Sequence, residues 1–433
     1  MQQDNLASRC GMLISLSTTS RNPLTSAQRW ATVILLGIGV MVAYIDRTNF
    51  SVALVVKDFK ALFQLTDVNR GILNSAFFWS YAFLQIPAGY VVDRWGVKYP
   101  YAVGFVFWSV ISAATALAGS FYQLIGLRIL LGVGEAIVTP ASMRWLKLNV
   151  DESQRGLATG IYMSGTKYGP AVGNAIAPML IKEYDWRIMF LILGLGALVW
   201  LIPWLFFLRD DDRELATSQA KKNPAPTASF GDVMASPLMW GVLIGTFAYN
   251  YFTYFAQTWM PAYFVEQRGF TLTIMGWLQF AGFFGMATMA ILAGWAADRF
   301  IAAGRDAVTV RKAFTIAGLV CASTEIFGAL SSSRDVAVFF SIVSLTGLGL
   351  ATANYWALTQ TVMPSSSIGR VAGLQNFASN LGGIAAPLLT GWLKQVTGSY
   401  VAPMVLICVL LVIGILAYTF MVTPRFAPRK SQA

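Results

Sequence analysis

The sequence predicts an all-α membrane protein of twelve transmembrane helices, arranged as two pseudo-symmetric bundles of six. Three observations carry this. The 433 residues are 56% hydrophobic and only 12% charged, about half the charged share of an ordinary soluble domain. Long uncharged runs recur, and one of them, "YAVGFVFWSVISAATALAGSFYQLIGL", has no charge over 27 positions. At ~1.5 Å rise per residue, ~20 apolar residues already cross the ~30 Å hydrocarbon layer. Lastly, one short motif returns at the same place in each half of the chain.

Residues 1–28 read as a polar cytoplasmic tail, because the apolar piece Met12 to Leu16 is too short for the h-region of a cleaved signal. Apolar segments follow at 29–54, 70–92, 98–118, 121–143, 156–180 and 187–208, then at 238–264, 272–297, 312–331, 335–360, 368–394 and 400–422. Between the sixth and seventh lies "RDDDRELATSQAKKNPAPTASFGD", polar, charged and proline-containing, as linkers are. The predicted organisation is a six-helix bundle at 29–208, a cytoplasmic linker at 209–237, a second bundle at 238–422 and a cytoplasmic tail at 423–433.

With both termini inside, the inner segments hold twenty Lys and Arg against eight outside. That bias follows the positive-inside rule. It accounts for the net charge of +11 with a lipid bilayer as partner and no nucleic acid. Cys10, Cys321 and Cys408 match no disulfide framework and no metal spacing. There is no His, so proton chemistry near neutral pH falls to perturbed carboxylates. The chain shows no nucleophile–base set, metal cluster or phosphate loop, which argues against an enzyme, a cofactor or a metal.

The recurring motif stands in "GYVVDRWGVK", between the second and third segments, and in "GWAADRF", between the eighth and ninth. Both read G-x-x-x-D-R, at Gly89, Asp93, Arg94 and at Gly294, Asp298, Arg299. A matching loop in two six-helix halves marks a duplicated transporter. The Gly permits close helix approach. The Asp can cap a facing helix N-terminus and pair with nearby bases. Together they suit a cytoplasmic gate latching the halves.

Ionisable residues inside spanning segments are functional candidates by default. The first half has Asp46, Arg47, Arg128, Glu135 and Lys167; the second has only Glu325. Arg128 and Glu135 are seven apart, so they share a face to within ~20° but stand two turns apart. Each needs a partner on another helix. The first segment offers one of each sign, which predicts a neutral set of four. One reading is a purely structural ion network. The other is transport: an anion that competes for an Arg frees a carboxylate to take a proton. Lys167 either lines the cavity or snorkels to an interface. In the second half Asn250, Tyr251, Tyr254, Asn354, Tyr355, Trp356, Gln375, Asn376 and Asn380 offer hydrogen bonds to a ligand, or between helices.

The stretches "AYIDRTNFSVAL", "GYVVDRWGVK", "LRILLGVGEA" and "NFASNLGGIAAP" resemble the anion:cation symporter branch of the major facilitator superfamily. Bacterial D-galactonate, hexuronate and glucarate transporters belong there. The resemblance runs from about residue 29 to 422. It implies proton-coupled uptake of a small organic anion by a functional monomer in the bacterial inner membrane, with a sugar acid ahead of an aromatic carboxylate. It implies Asp46 and Glu135 as proton carriers, Arg128 as the residue that tunes Glu135, and Arg47 as the carboxylate ligand. Tyr44, Tyr81, Trp356 and Asn376 look like the family's cavity residues. Thr166, followed by Lys167, stands where the galactonate transporters have Gln. The glycine run Gly156, Gly160, Gly165, Gly169, Gly173 with Pro170 resembles a proton-antiporter signature, or serves tight packing. The alternatives are therefore a proton antiporter exporting a drug or metabolite, and a non-transporting membrane sensor.

Overall fold

The computed structural model describes residues 24–209, 230–363 and 368–426. Most of the expected N-terminal tail with Cys10, most of the linker, and the end of the C-terminal tail lie outside the described residues. Twelve long helices follow the twelve apolar segments. They are α1 Ser26–Ala53, α2 Asp67–Trp95, α3 Lys98–Leu117, α4 Phe121–Asn149, α5 Glu152–Glu183 and α6 Trp186–Phe207, then α7 Pro237–Thr258, α8 Leu272–Ala302, α9 Ala307–Leu330, α10 Arg334–Val362, α11 Ile368–Thr397 and α12 Val401–Phe420. No strand occurs among the described residues. With no water in the hydrocarbon layer, helices satisfy every backbone group internally.

Eight of these helices are long and apolar enough to cross a membrane by length and composition. The exceptions are α2, α5, α7 and α11. Three of them, α2, α5 and α11, carry prolines inside the helix, and polar groups run through all four.

Two interruptions position functional groups. α4 breaks after Glu135 and resumes at Val138. Pro140 lies four residues beyond the Ala136 carbonyl, where its ring clashes and its missing N–H leaves a gap. α7 stops at Thr258, followed by a π turn over Tyr263–Gln267. Pro261 makes the same break there against Gln257, so the seventh helix ends before the predicted 264.

The two halves meet backbone to backbone. A Cβ on Gly71 of α2 would stand 2.6 Å from the Pro387 carbonyl oxygen of α11, and one on Gly276 of α8 would stand 2.4 Å from the Asn174 carbonyl oxygen of α5. Towards the end that carries the termini these helices part: among the described residues, no atom of another element lies within 4 Å of where a Cβ would sit on Gly89, Gly156, Gly160 or Gly373. The second part of the α5 glycine run, Gly165, Gly169 and Gly173, packs on α1. Gly165 and Gly169 lie against the Gly37 and Met41 carbonyls of α1, at 2.3 and 2.6 Å from a would-be Cβ. Within the first half, a Cβ on Gly132 would meet the Phe77 carbonyl oxygen and Ser80 Oγ at 2.3 Å. Gly132→Ala is therefore expected to push α4 off α2 and cost about 1–3 kcal/mol, read as a lowered thermal midpoint in detergent.

Candidate functional site: a central charge pair and an ionic seal

Arg47 of α1 and Glu135 of α4 face each other at the centre of the first half. Arg47 Nε donates to Glu135 Oε2 at 2.8 Å, and Nη2 lies 2.7 Å from the same oxygen. Arg47 is 5% exposed and Glu135 is fully buried. The guanidinium lies 4.3, 4.4 and 4.6 Å from the ring centroids of Tyr44, Phe77 and Tyr81. Cation–π attraction of this kind grows as water is excluded. Two atoms remain unused: Arg47 Nη1 and Glu135 Oε1 have no hydrogen-bond partner among the described residues. A buried charge of either sign alone would be costly, so each holds the other in place.

The predicted set of four is a pair with two neighbours. Asp46 Oδ1 accepts a hydrogen bond from Ser112 Oγ of α3 at 2.7 Å, and its Oδ2 has no partner among the described residues. Arg128 makes no ion pair among the described residues. Its Nε donates to the Leu73 carbonyl at 3.3 Å, and its guanidinium stacks 4.4 Å from the Phe50 ring. The adjacent positions 46 and 47 point about 100° apart on a helix, so the two acids and two bases cannot all converge from one α1 face.

Other predicted residues divide. Tyr81 stacks on Phe77 at 5.0 Å and caps Arg47. The Thr166 hydroxyl is taken up by its own helix, donating to the Met163 carbonyl at 2.7 Å. Lys167 does not snorkel. It is 9% exposed, sits midway along a 32-residue helix and faces the Tyr249 ring of α7 at 5.6 Å. Tyr355 packs on Tyr249 with tilted rings 4.6 Å apart, and half-buried Trp356 continues that aromatic wall. Asn376 of α11 donates to Gln85 of α2, joining the halves. Glu325 is held inside its own half by the Ser341 and Ser344 hydroxyls of α10, at 2.8 and 2.6 Å.

Among the described residues, the G-x-x-x-D-R groups form no bridge between halves. Asp93 pairs with Arg144, and Asp298 with Arg311 at 2.9 Å, each within its own half. Arg299 lies 5.6 Å from the Trp295 ring on its own helix. Among the described residues, a Cβ on Gly89 would meet no atom of another element within 4 Å, and one on Gly294 would meet the Ala353 Cβ at 3.6 Å. The close approach expected of these glycines is absent because the halves are apart at this end.

The bridge lies at the opposite end. Glu266, on the π turn of the second half, pairs with Lys60 at 2.7 Å and Arg70 at 3.1 Å from the first. Lys394 of α11 pairs with Asp67 at 2.9 Å and with Glu266 at 3.4 Å. Tyr400 adds a hydroxyl to Glu266 at 2.9 Å. Burial would raise the Glu266 carboxyl, but Arg70, Lys60 and Lys394 outweigh it and hold it at about 2, against an ordinary 4.5. A depressed pKa contributes stability above the unfolded value and loses it as pH falls through the folded one. The seal is thus expected to be insensitive to pH from 8 to 5 and to weaken only between about 4.5 and 2. Glu266→Gln is expected to shift the population about tenfold towards opening at that end, ~1.4 kcal/mol. Accessibility of a single Cys placed at Val68 to a water-soluble thiol reagent measures it.

Several of these groups carry no mark in the sequence. Ser112, Tyr249 and Gln85 are single polar or aromatic residues in apolar helices, and no local pattern separates them from packing residues.

Comparison with known proteins agrees with this architecture. The D-galactonate transporter of Escherichia coli is 30% identical over 417 residues, covering 91% of this chain and 96% of that protein. The hexuronate transporter of Bacillus subtilis is 27% identical, covering 87% and 90%. A probable sulfoacetate transporter of Cupriavidus necator is 30% identical, covering 88% and 92%. Among solved structures, an inward-facing, unoccupied bacterial homologue of the human lysosomal transporter Spinster superposes with a TM-score of 0.76. It is 17% identical and covers 95% of this chain and all of that one. The Major Facilitator Superfamily model matches residues 36–387. Two six-helix halves, a charged centre and that match together place the chain in the Major Facilitator Superfamily, a family of membrane transporters rather than enzymes.

Proposed function

We propose that the chain is a secondary transporter that takes up a small organic anion together with protons, by alternating access between its two halves. One observation carries the reading: the Arg47–Glu135 pair uses one carboxylate oxygen and leaves Arg47 Nη1 and Glu135 Oε1 unbonded within the described residues. An arriving carboxylate takes the Arg fork in two places. Glu135 then loses its counter-charge and binds a proton, since a buried unpaired carboxylate is costly. Asp46 serves as the second proton carrier. Its Oδ2 has no partner among the described residues, so a proton there displaces no hydrogen bond. Arg128, on the same helix as Glu135, adjusts the local field.

The names of the relatives support a sugar acid; an aromatic carboxylate comes second, on the 14% aromatic content of the chain. Tyr44, Tyr81, Tyr355, Trp356 and Asn376 supply rings and an amide for such a ligand. Gly89, Asp93, Arg94, Gly294, Asp298 and Arg299 act as the gate when the halves close at their end. That end is cytoplasmic, with both termini, and the membrane is the bacterial inner membrane. Export by antiport stays the alternative: Gly165, Gly169 and Gly173 of the α5 run pack on α1, whereas Gly156 and Gly160 have no such contact among the described residues.

Purified protein in liposomes tests this. An inward proton gradient is expected to drive accumulation of a labelled sugar acid. The opposite response to the gradient would establish antiport, and no flux of any tested acid would favour a sensor.

A further inference from the structure

Lys167 is the cation that the central pair leaves over. It stands near the middle of α5, about 23 Å from either helix end at 1.5 Å per residue, beyond the reach of a lysine stem to water at an interface. It is 9% exposed and has no ion pair or hydrogen bond among the described residues; its recorded neighbour is the Tyr249 face at 5.6 Å. A buried ammonium without an acceptor is costly, and in a transporter the midplane between the halves is where substrates bind.

The surroundings connect Lys167 to the Arg47 site. Gly165 and Gly169 fix one face of α5 against α1, and Lys167, two residues from each, lies about 200° away from that face. It therefore looks across to the second half. The Tyr44 side chain that lies beneath the Arg47 guanidinium rests against Gly169. Tyr44 and Thr166 are half-buried on one side, and Trp356 and Asn376 on the other. Arg47 and Lys167 are thus linked through Tyr44 and α5, with half-buried residues from both halves around them.

We propose that Lys167 is a second anion anchor, and that the substrate carries two acid groups, one on Arg47 and one on Lys167. This rests on the proton-coupled anion reading above and gives it a charge balance. The central side chains Asp46, Glu135, Arg47, Arg128 and Lys167 sum to +1 when all are ionised. A monoanion cancels that with no proton. A dianion brings the sum to −1, and one proton on a carboxylate restores neutrality. Net charge at the membrane midplane is strongly disfavoured, so a dianion makes proton uptake a condition of moving the loaded site.

The test uses full-length protein in detergent and two pairs of probes that differ by one acid group: D-gluconate with D-glucarate, and benzoate with benzene-1,4-dicarboxylate. In at least one pair the diacid is expected to bind the wild type at least about tenfold more tightly than its monoacid. Lys167→Met is expected to remove that preference, so that mono- and diacid bind alike, while an unchanged thermal midpoint without ligand shows that the variant folds. Equal binding of mono- and diacid by the wild type overturns the proposal. So does a preference that survives in Lys167→Met, or binding of none of the four probes. Arg47→Gln separates the two levels. Monoacid binding that depends on Arg47 but not on Lys167, with no diacid preference, removes the second anchor alone. Binding that ignores Arg47 removes the anion-site reading itself and the second anchor with it.

Discussion

Arg47→Gln is expected to cost about 3–5 kcal/mol of stability, because it leaves the fully buried Glu135 without its partner. It is also expected to abolish anion binding, since Gln offers neither the charge nor the two-pronged donor. The two effects have separate signatures. In the double variant Arg47→Gln, Glu135→Gln no unpaired charge remains, so most of the lost stability returns while anion binding does not. Thermal unfolding in detergent, with and without a sugar-acid probe, reads both quantities. A double variant as unstable as the single one would show that packing around Tyr44, Phe77 and Tyr81, rather than charge, holds Arg47.

Glu135→Gln alone is expected to keep substrate exchange and lose proton-driven accumulation. The amide still accepts a hydrogen bond from Arg47, so the carboxylate site persists, but it no longer takes up a proton with substrate. For each coupled proton, a gradient of one pH unit is worth ~1.4 kcal/mol, about tenfold in accumulation. In the variant that factor falls towards one. Counterflow of labelled substrate in liposomes without a gradient serves as the control. Accumulation that survives at wild-type level would remove Glu135 from the coupling and leave Asp46 as the carrier.

Much of this architecture is legible in the chain, because a bilayer imposes a length and an apolarity that few other environments do. The twelve segments follow from that constraint, and the duplicated loop shows that the two halves repeat each other. The site was legible to the extent that charge is rare. Asp46, Arg47, Arg128 and Glu135 stand out in apolar helices, and the spacing on α4 requires partners elsewhere. The pairing itself was not legible. A helical wheel shows that Arg128 and Glu135 share a face, but not that Ser112 would serve Asp46 or that the Leu73 carbonyl would take Arg128. The seal was missed for a related reason. Lys60, Asp67, Arg70, Glu266 and Lys394 lie in or beside loops, where charge is ordinary, and only the fold brings them together. The G-x-x-x-D-R loops drew attention by repetition, yet repetition marks ancestry as readily as contact.

The backbone-to-backbone meeting of α2 with α11 and of α5 with α8 bears on how easily the machine turns. Side chains that interlock across a joint must leave their rotamers and find new ones whenever the joint moves. Gly71 against the Pro387 carbonyl and Gly276 against the Asn174 carbonyl have no side chain to re-sort. Rotation there meets little friction, much as a smooth hinge differs from a toothed one. Part of the resistance to turning then sits at the rim, in the ion pairs around Glu266, and that part weakens modestly with ionic strength because the pairs are partly buried, while the glycine contacts stay indifferent to it.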